Sequence, residues 1–234
     1  MTLQQLLLDI RPEEAPSLNN FVVGDNAELM SRLNGLADPR VFDQIFLWGP
    51  PGSGRSHLLR GALAKAQARA RPVILIDGAM LGEELAAAPG SLLIVDNVEA
   101  LNESAQITLF RTFNAARLVG LALLLAGQSP PLRLALREDL RTRIGATLVY
   151  EVKPLSESDK ADALKRHAHA RGMRIDNALI DYLLRHGRRD LPSLLRVLDT
   201  LDRVSLEQQR VLTLPLLRDV LQTTLEQDHG PRTV

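Results

Sequence analysis

The sequence contains no cysteine, which excludes disulfides and thiolate-bound metals and leaves the fold to rest on its core and on any bound ligand. A cytoplasmic location fits that absence. Aromatic residues make up only 3% of the chain, so the stacking platforms of single-strand nucleic-acid binders are missing. Neither sign of charge prevails, since 28 Lys and Arg face 28 Asp and Glu. Without an electropositive field there is little to attach the chain to phosphate backbones, and direct sequence-specific DNA binding is not expected. No stretch reaches the ~20 apolar residues of a membrane-spanning helix, and residues 1–10 carry no basic region ahead of their leucines, so neither membrane insertion nor a secretory signal is expected.

What is present is ample apolar material, 45% of 234 residues, enough for one substantial domain and a smaller appendage. Residues 1–16 end in Arg11-Pro12-Glu13-Glu14-Ala15-Pro16, a polar, proline-bounded stretch that reads as a flexible tail. Apolar runs bounded by turn residues follow at Ile45–Trp48, Val73–Ile76, Leu92–Val95, Leu121–Leu125 and Thr147–Val152, with helical spacing between them, as in Ser56–Arg69 and Ser104–Leu118. Strands alternating with helices predict a parallel α/β sheet over residues 17–153. After Pro154 the strand signal stops, and Ser156–Arg171, Asp176–His186, Leu191–Val204 and Thr213–Gln227 repeat apolar residues at helical spacing. Residues 154–234 are therefore expected to form a small all-helical domain, with Ser156 and Asp159 at one helix start and Thr213 before Pro215 at another.

Gly49-Pro50-Pro51-Gly52-Ser53-Gly54-Arg55-Ser56 stands between a predicted strand and a predicted helix, the context of a phosphate-binding loop. Its glycines let backbone amides turn toward phosphate oxygens, and the following helix presents its positive end to the anion. The usual lysine is Arg55 here, a planar cation that can pair with phosphate but is not a compact point charge. Ser56 is the expected Mg2+ ligand. The strand Ser91–Val95 delivers an acid, Asp96, to its carboxyl end, where open α/β sheets bind ligands. Asp96 is the second expected member of the Mg2+ sphere. Asn97 follows where a water-activating acid would stand, and an amide cannot accept that proton. Glu99 either substitutes from nearby or is a solvent-facing charge. Nucleotide binding is thus expected to outlast catalysis.

Phe21-Val22-Val23-Gly24, Ile94-Val95-Asp96-Asn97, Gly127-Gln128-Ser129-Pro130-Pro131 and Arg143 together resemble the DnaA replication-initiator family. The resemblance covers nearly all of residues 17–226 and implies a P-loop AAA+ fold, a five-stranded parallel sheet with helices on both faces followed by a helical lid. Only about eight residues follow Glu226, so the similarity is to short homologues lacking the DNA-binding helix-turn-helix domain. It implies an adenine nucleotide, ADP or ATP, held by Gly49, Gly52, Ser53, Gly54, Arg55, Ser56 and His57, with Phe21, Val22 and Val23 near the adenine and with Asp96 and Gln128 alongside.

The implied role is that of a negative regulator of chromosomal replication initiation with negligible ATPase activity of its own. It links the DNA-loaded sliding clamp, the β subunit of DNA polymerase III, to DnaA and stimulates hydrolysis of DnaA-bound ATP. Gln5, Leu6, Leu8 and Ile10 resemble a clamp-binding motif, with Gln4 offering a second register, and Arg143 stands at the family's trans arginine-finger position. Arg141 is its neighbour in sequence, and a local pair between Arg143 and Glu138 or Asp139 is the plain alternative. Two positions depart from the family pattern: Pro192 falls where the second sensor arginine is expected, leaving Arg188 or Arg189 as substitutes, and Gln128 replaces a sensor aspartate. Rival readings are a free-standing AAA+ ATPase of helicase-loader type and a clamp adaptor with a vestigial nucleotide site. A homo-oligomer is left open.

Overall fold

The computed structural model describes residues 15–228 and divides them into two compact units, meeting in sequence at Pro154 and Leu155. The expected clamp-binding residues Gln5, Leu6, Leu8 and Ile10 lie outside the described residues. In the first unit the five parallel strands are β1 (Gln44–Trp48), β2 (Val73–Asp77), β3 (Leu92–Asp96), β4 (Ala122–Gly127) and β5 (Leu148–Glu151), in the order β2-β3-β4-β1-β5. The three inner strands are almost wholly apolar and buried, as a parallel sheet covered on both faces requires, while the edge strands β2 and β5 are only partly covered.

Alternation along these strands builds two cores. Ile45, Leu47, Leu92, Ile94 and Leu124 face α1 (Ala27–Gly35) and α2 (Arg55–Ala68). Phe46, Leu93, Val95, Leu123 and Leu125 face α3 (Glu103–Val119) and α4 (Glu138–Gly145). The α/β sheet with helices on both faces is thus the observed architecture. Two helices have no counterpart among the stretches singled out by periodicity. These are α1 and α4, at 9 and 8 residues, too short for a repeating apolar stripe to stand out.

One buried charge fastens this unit. Arg71 is 2% exposed, and its three guanidinium nitrogens donate to the carbonyls of Gly90, Leu36, Asp38, Val41 and Ser91 at 2.6–3.2 Å. The fork satisfies loop carbonyls that the ladder cannot reach, between the end of α1 and the turn before β3.

The second unit is helical: α5 (Glu157–Ala170), α6 (Asn177–His186), α7 (Leu191–Gln208) and α8 (Leu214–Asp228). The helix starts are written in the sequence. Ser156 and Asp159 form a capping box, Asp176 accepts from the Leu179 amide, and Asp190 accepts from that of Ser193. Leu164, Leu183, Leu198, Leu201 and Leu217, all fully buried, form the centre of the bundle. Across α5 and α7, His167 pairs with Asp199 at 2.6 Å, and Arg171 pairs with Asp199 at 3.1 Å and Asp202 at 3.4 Å. No described helix is long and apolar enough to cross a membrane.

Candidate nucleotide site

The sheet order brings the chemistry together. β4 lies between β1 and β3, so the loop after β1, Asp96 at the end of β3 and Gly127 at the end of β4 share one edge. The Gly49 amide donates to the Gly127 carbonyl at 3.3 Å, fixing the start of the phosphate loop. Gly52 and Gly54 take positive φ, 80° and 97°, and Gly54 is the residue from which α2 springs. A Cβ at Gly54 would lie 2.9 Å from the Phe21 ring, so both conformation and contact require glycine there.

Among the described residues, the buried side-chain polar atoms with no hydrogen-bond partner are Ser53 Oγ and Arg55 Nη1. Both belong to the phosphate loop. A buried guanidinium nitrogen without an acceptor is costly, and an anionic ligand lying on the loop amides would supply the acceptor. The donors therefore fit a nucleotide phosphate. Ser56 Oγ donates to Asp96 Oδ2 at 3.1 Å, so the two expected Mg2+ ligands already touch. Two oxygen side chains do not close a metal sphere, which suits Mg2+ shared with phosphates and water.

The segment before the loop is held by polar ties. His57 Nε2 faces the Ser17 carbonyl and Asn20 Oδ1, both at 2.9 Å. Both partners are acceptors there, so this nitrogen carries the proton. The His57 ring also lies 5.6 Å from that of Phe21. The buried Asn26 donates to the Val23 and Lys153 carbonyls and accepts from the Lys153 amide at 2.9 Å. Phe21 is thereby placed against the loop. Val22 is half-buried, and Val23 and Gln128 are exposed.

Asn97 adopts the left-handed conformation, φ 52°, which asparagine tolerates better than most residues. Its amide donates to Asp77 Oδ2 at 2.5 Å, and its backbone N–H donates to Asp96 Oδ1 at 2.9 Å. Asp77 also accepts from the Ala79 amide, so it serves as an anchor at the end of β2. Sequence reading missed Asp77. Its signal was available, since an acid closing an apolar strand of a parallel sheet lies at the ligand edge. Glu99 is exposed but not remote: its Oε2 lies 3.0 Å from where a Gly127 Cβ would be.

Arg143 is exposed on α4, its guanidinium carbon 5.8 Å from the centre of the Phe110 ring, within cation–π range. The local pair weighed for it does not form. Asp139 is taken by Arg137, at 3.1 Å, and the Arg137 hydrogen bond holds its carboxyl below the usual range. No carboxylate among the described residues pairs with Arg143. Arg141, two positions earlier, is half-buried. Phe110 was not foreseen, because it meets Arg143 only through the packing of α3 on α4. Pro192 falls in the first turn of α7, where its missing N–H breaks no helical bond.

Residues 157–221 match the family model described as Hda, lid domain. The C-terminal unit is thus similar to the Hda lid domain, and the chain shares its fold with DnaA structures. Among solved structures it is similar to domain III of the Thermotoga maritima replication initiation protein DnaA, at 18% identity and TM-score 0.75 over 92% of this chain and 100% of that one. AMPPCP-bound DnaA from Aquifex aeolicus matches at 21% identity and TM-score 0.68, over 80% of this chain and 64% of that one. Thermotoga maritima RuvB R170A matches at 20% identity and TM-score 0.68, over 92% and 72%.

Proposed function

We propose that the chain is a nucleotide-bound regulator of DnaA-type initiation rather than a self-sufficient ATPase. ADP, or ATP, is held by the backbone amides of Gly52–Ser56 and by Arg55, with Phe21 toward the adenine and with Ser56 and Asp96 available to Mg2+, which would neutralise phosphate charge. The AMPPCP bound by the Aquifex aeolicus DnaA of like fold supports an adenine nucleotide. Asn97, committed to Asp77, neither accepts a proton nor turns freely toward water, which supports weak hydrolysis by the chain itself.

The partner is a DnaA-type initiator, and Arg143 is the group supplied to its nucleotide in trans. The observation that carries this reading is the exposed Arg143 guanidinium, unpaired by any described carboxylate and backed by Phe110. A cation held ready on a ring can stabilise charge developing on a neighbour's phosphate, an effect of roughly 10³ to 10⁵ in rate in other P-loop systems. Gln5, Leu6, Leu8 and Ile10 would tether the chain to the DNA-loaded sliding clamp, so that inactivation follows replication in the cytoplasm. The test is a reconstituted assay with ATP-loaded DnaA, clamp and DNA. Arg143→Ala is expected to abolish stimulation while keeping nucleotide and clamp binding. Retained stimulation in that variant overturns the assignment, and loss in Arg141→Ala instead moves the finger.

A second reading, a free-standing remodelling ATPase of helicase-loader type, draws on Glu99, whose carboxylate reaches the end of β4. Turnover near 1 per second in the isolated chain, abolished by Glu99→Gln, would favour it.

A further inference from the structure

The Hda-type lid carries a groove between α7 and α8 of about 520 Å³. Its floor includes Val197, Leu216 and Leu221, all buried, and its rim carries Arg196, Arg203 and Arg210, all exposed. These arginines recur every seven residues. Arg196 and Arg203 therefore project from one face of α7, about 10 Å apart along its axis, and Arg210 continues the row past the helix end.

Charge is segregated around α7. Of its three acids, Asp199 and Asp202 are taken by His167 and Arg171 of α5, and Glu207 lies exposed near its C-terminal end outside the groove lining. On the groove side, Arg196 bonds the Ser193 hydroxyl at 3.1 Å and Arg210 the Gln208 amide oxygen at 3.3 Å. Among the described residues, none of Arg196, Arg203 and Arg210 forms an ion pair. Asp219 is the one acid lining the groove, and it is exposed. A row of like charges over an aliphatic floor repels itself until an anionic partner neutralises it.

We infer that this groove is a binding site for an acidic, aliphatic peptide segment of a protein partner, with its carboxylates meeting Arg196, Arg203 and Arg210 and its apolar side chains lying on Val197, Leu216 and Leu221. Two features favour peptide over nucleic acid. No aromatic residue lines the groove, so bases find nothing to stack on, and the buried aliphatic floor suits leucine-type side chains. Carboxylates about 10 Å apart occur seven residues apart on a helix or three apart in an extended chain. This inference is independent of the nucleotide site and of Arg143.

The experiment measures fluorescence anisotropy of the full chain with a labelled leucine-rich helical peptide carrying Glu at seven-residue spacing, and with a labelled oligothymidylate of equal charge. The native chain binds the peptide more tightly than the oligonucleotide. The Arg196→Glu/Arg203→Glu variant, with its fold checked by thermal melting, loses about tenfold or more of peptide affinity. Arg185→Glu, on α6 outside the groove, stays within about twofold. No peptide binding, equal loss in Arg185→Glu, or unchanged affinity in the double variant overturns the proposal. Tighter, Arg196/Arg203-dependent binding of the oligonucleotide overturns it in favour of a nucleic-acid site.

Discussion

The side-chain amide of Asn97 donates to Asp77 Oδ2 at 2.5 Å, joining the carboxyl ends of β2 and β3 beside the phosphate loop. The position that follows Asp96 is thus occupied by a structural donor whose partner lies 20 residues earlier in the chain.

That contact makes Asn97→Asp a conflict, because two carboxylates would meet where a donor and an acceptor now pair. The variant is expected to melt lower than the native chain, and Asp77→Asn in the same chain to recover most of the loss. A double-mutant cycle of melting temperatures checks it, and additive effects would show the two positions to be uncoupled. In phosphate-release assays the native chain should turn over far more slowly than about 1 per second, below ordinary enzymes.

Arg55→Ala removes from the phosphate loop a half-buried cation whose buried Nη1 has no hydrogen-bond partner. ADP affinity by calorimetry should fall roughly ten- to a hundredfold, the loss of about 1.5–3 kcal/mol expected for a charge-assisted contact. Unchanged affinity would remove Arg55 from the site. Gly54→Ala should cost stability as well as binding, given the positive φ and the Phe21 ring beside it.

Arg71→Met is expected to be the most damaging single change away from the site. It would leave five loop carbonyls without their common donor, for about 3 kcal/mol or more. Urea unfolding measures it, and a loss under about 1 kcal/mol would mean that water replaces the guanidinium.

Asp190 caps α7. Partial burial pushes its carboxyl up, but hydrogen bonds from Ser193 outweigh that and hold it below the usual carboxylate value. Its stabilising contribution is therefore complete above the unfolded value of about 3.9 and is lost as pH falls through the lower folded value. Asp190→Ala should lower stability by about 1 kcal/mol at neutral pH, with the difference from the native chain shrinking below about pH 4. A difference that persists at pH 2 would assign the effect to packing.

Deleting residues 1–10 should abolish binding to the sliding clamp while leaving ADP binding intact. Each large aliphatic anchor lost is worth about 1.5–3 kcal/mol. Co-elution of the shortened chain with the clamp would place the contact elsewhere.

Strand-helix alternation, the phosphate loop, Asp96 at a strand end and the helix start at Ser156 and Asp159 were legible in the sequence. Each rests on spacing within a few residues, where backbone geometry alone dictates what can meet. The short helices α1 and α4 were not legible, since 8 or 9 residues hold too few turns to establish a period. Only the tertiary structure decided that Asn97 is held by Asp77, that Arg143 lies over Phe110 rather than pairing with Asp139, and that Asp199 and Asp202 of α7 are drawn to α5 while Arg196 and Arg203 line a groove. Those pairings join residues 20 to 33 positions apart. They depend on which strands and helices become neighbours, a choice made by burial of the whole core and not by any local run of residues.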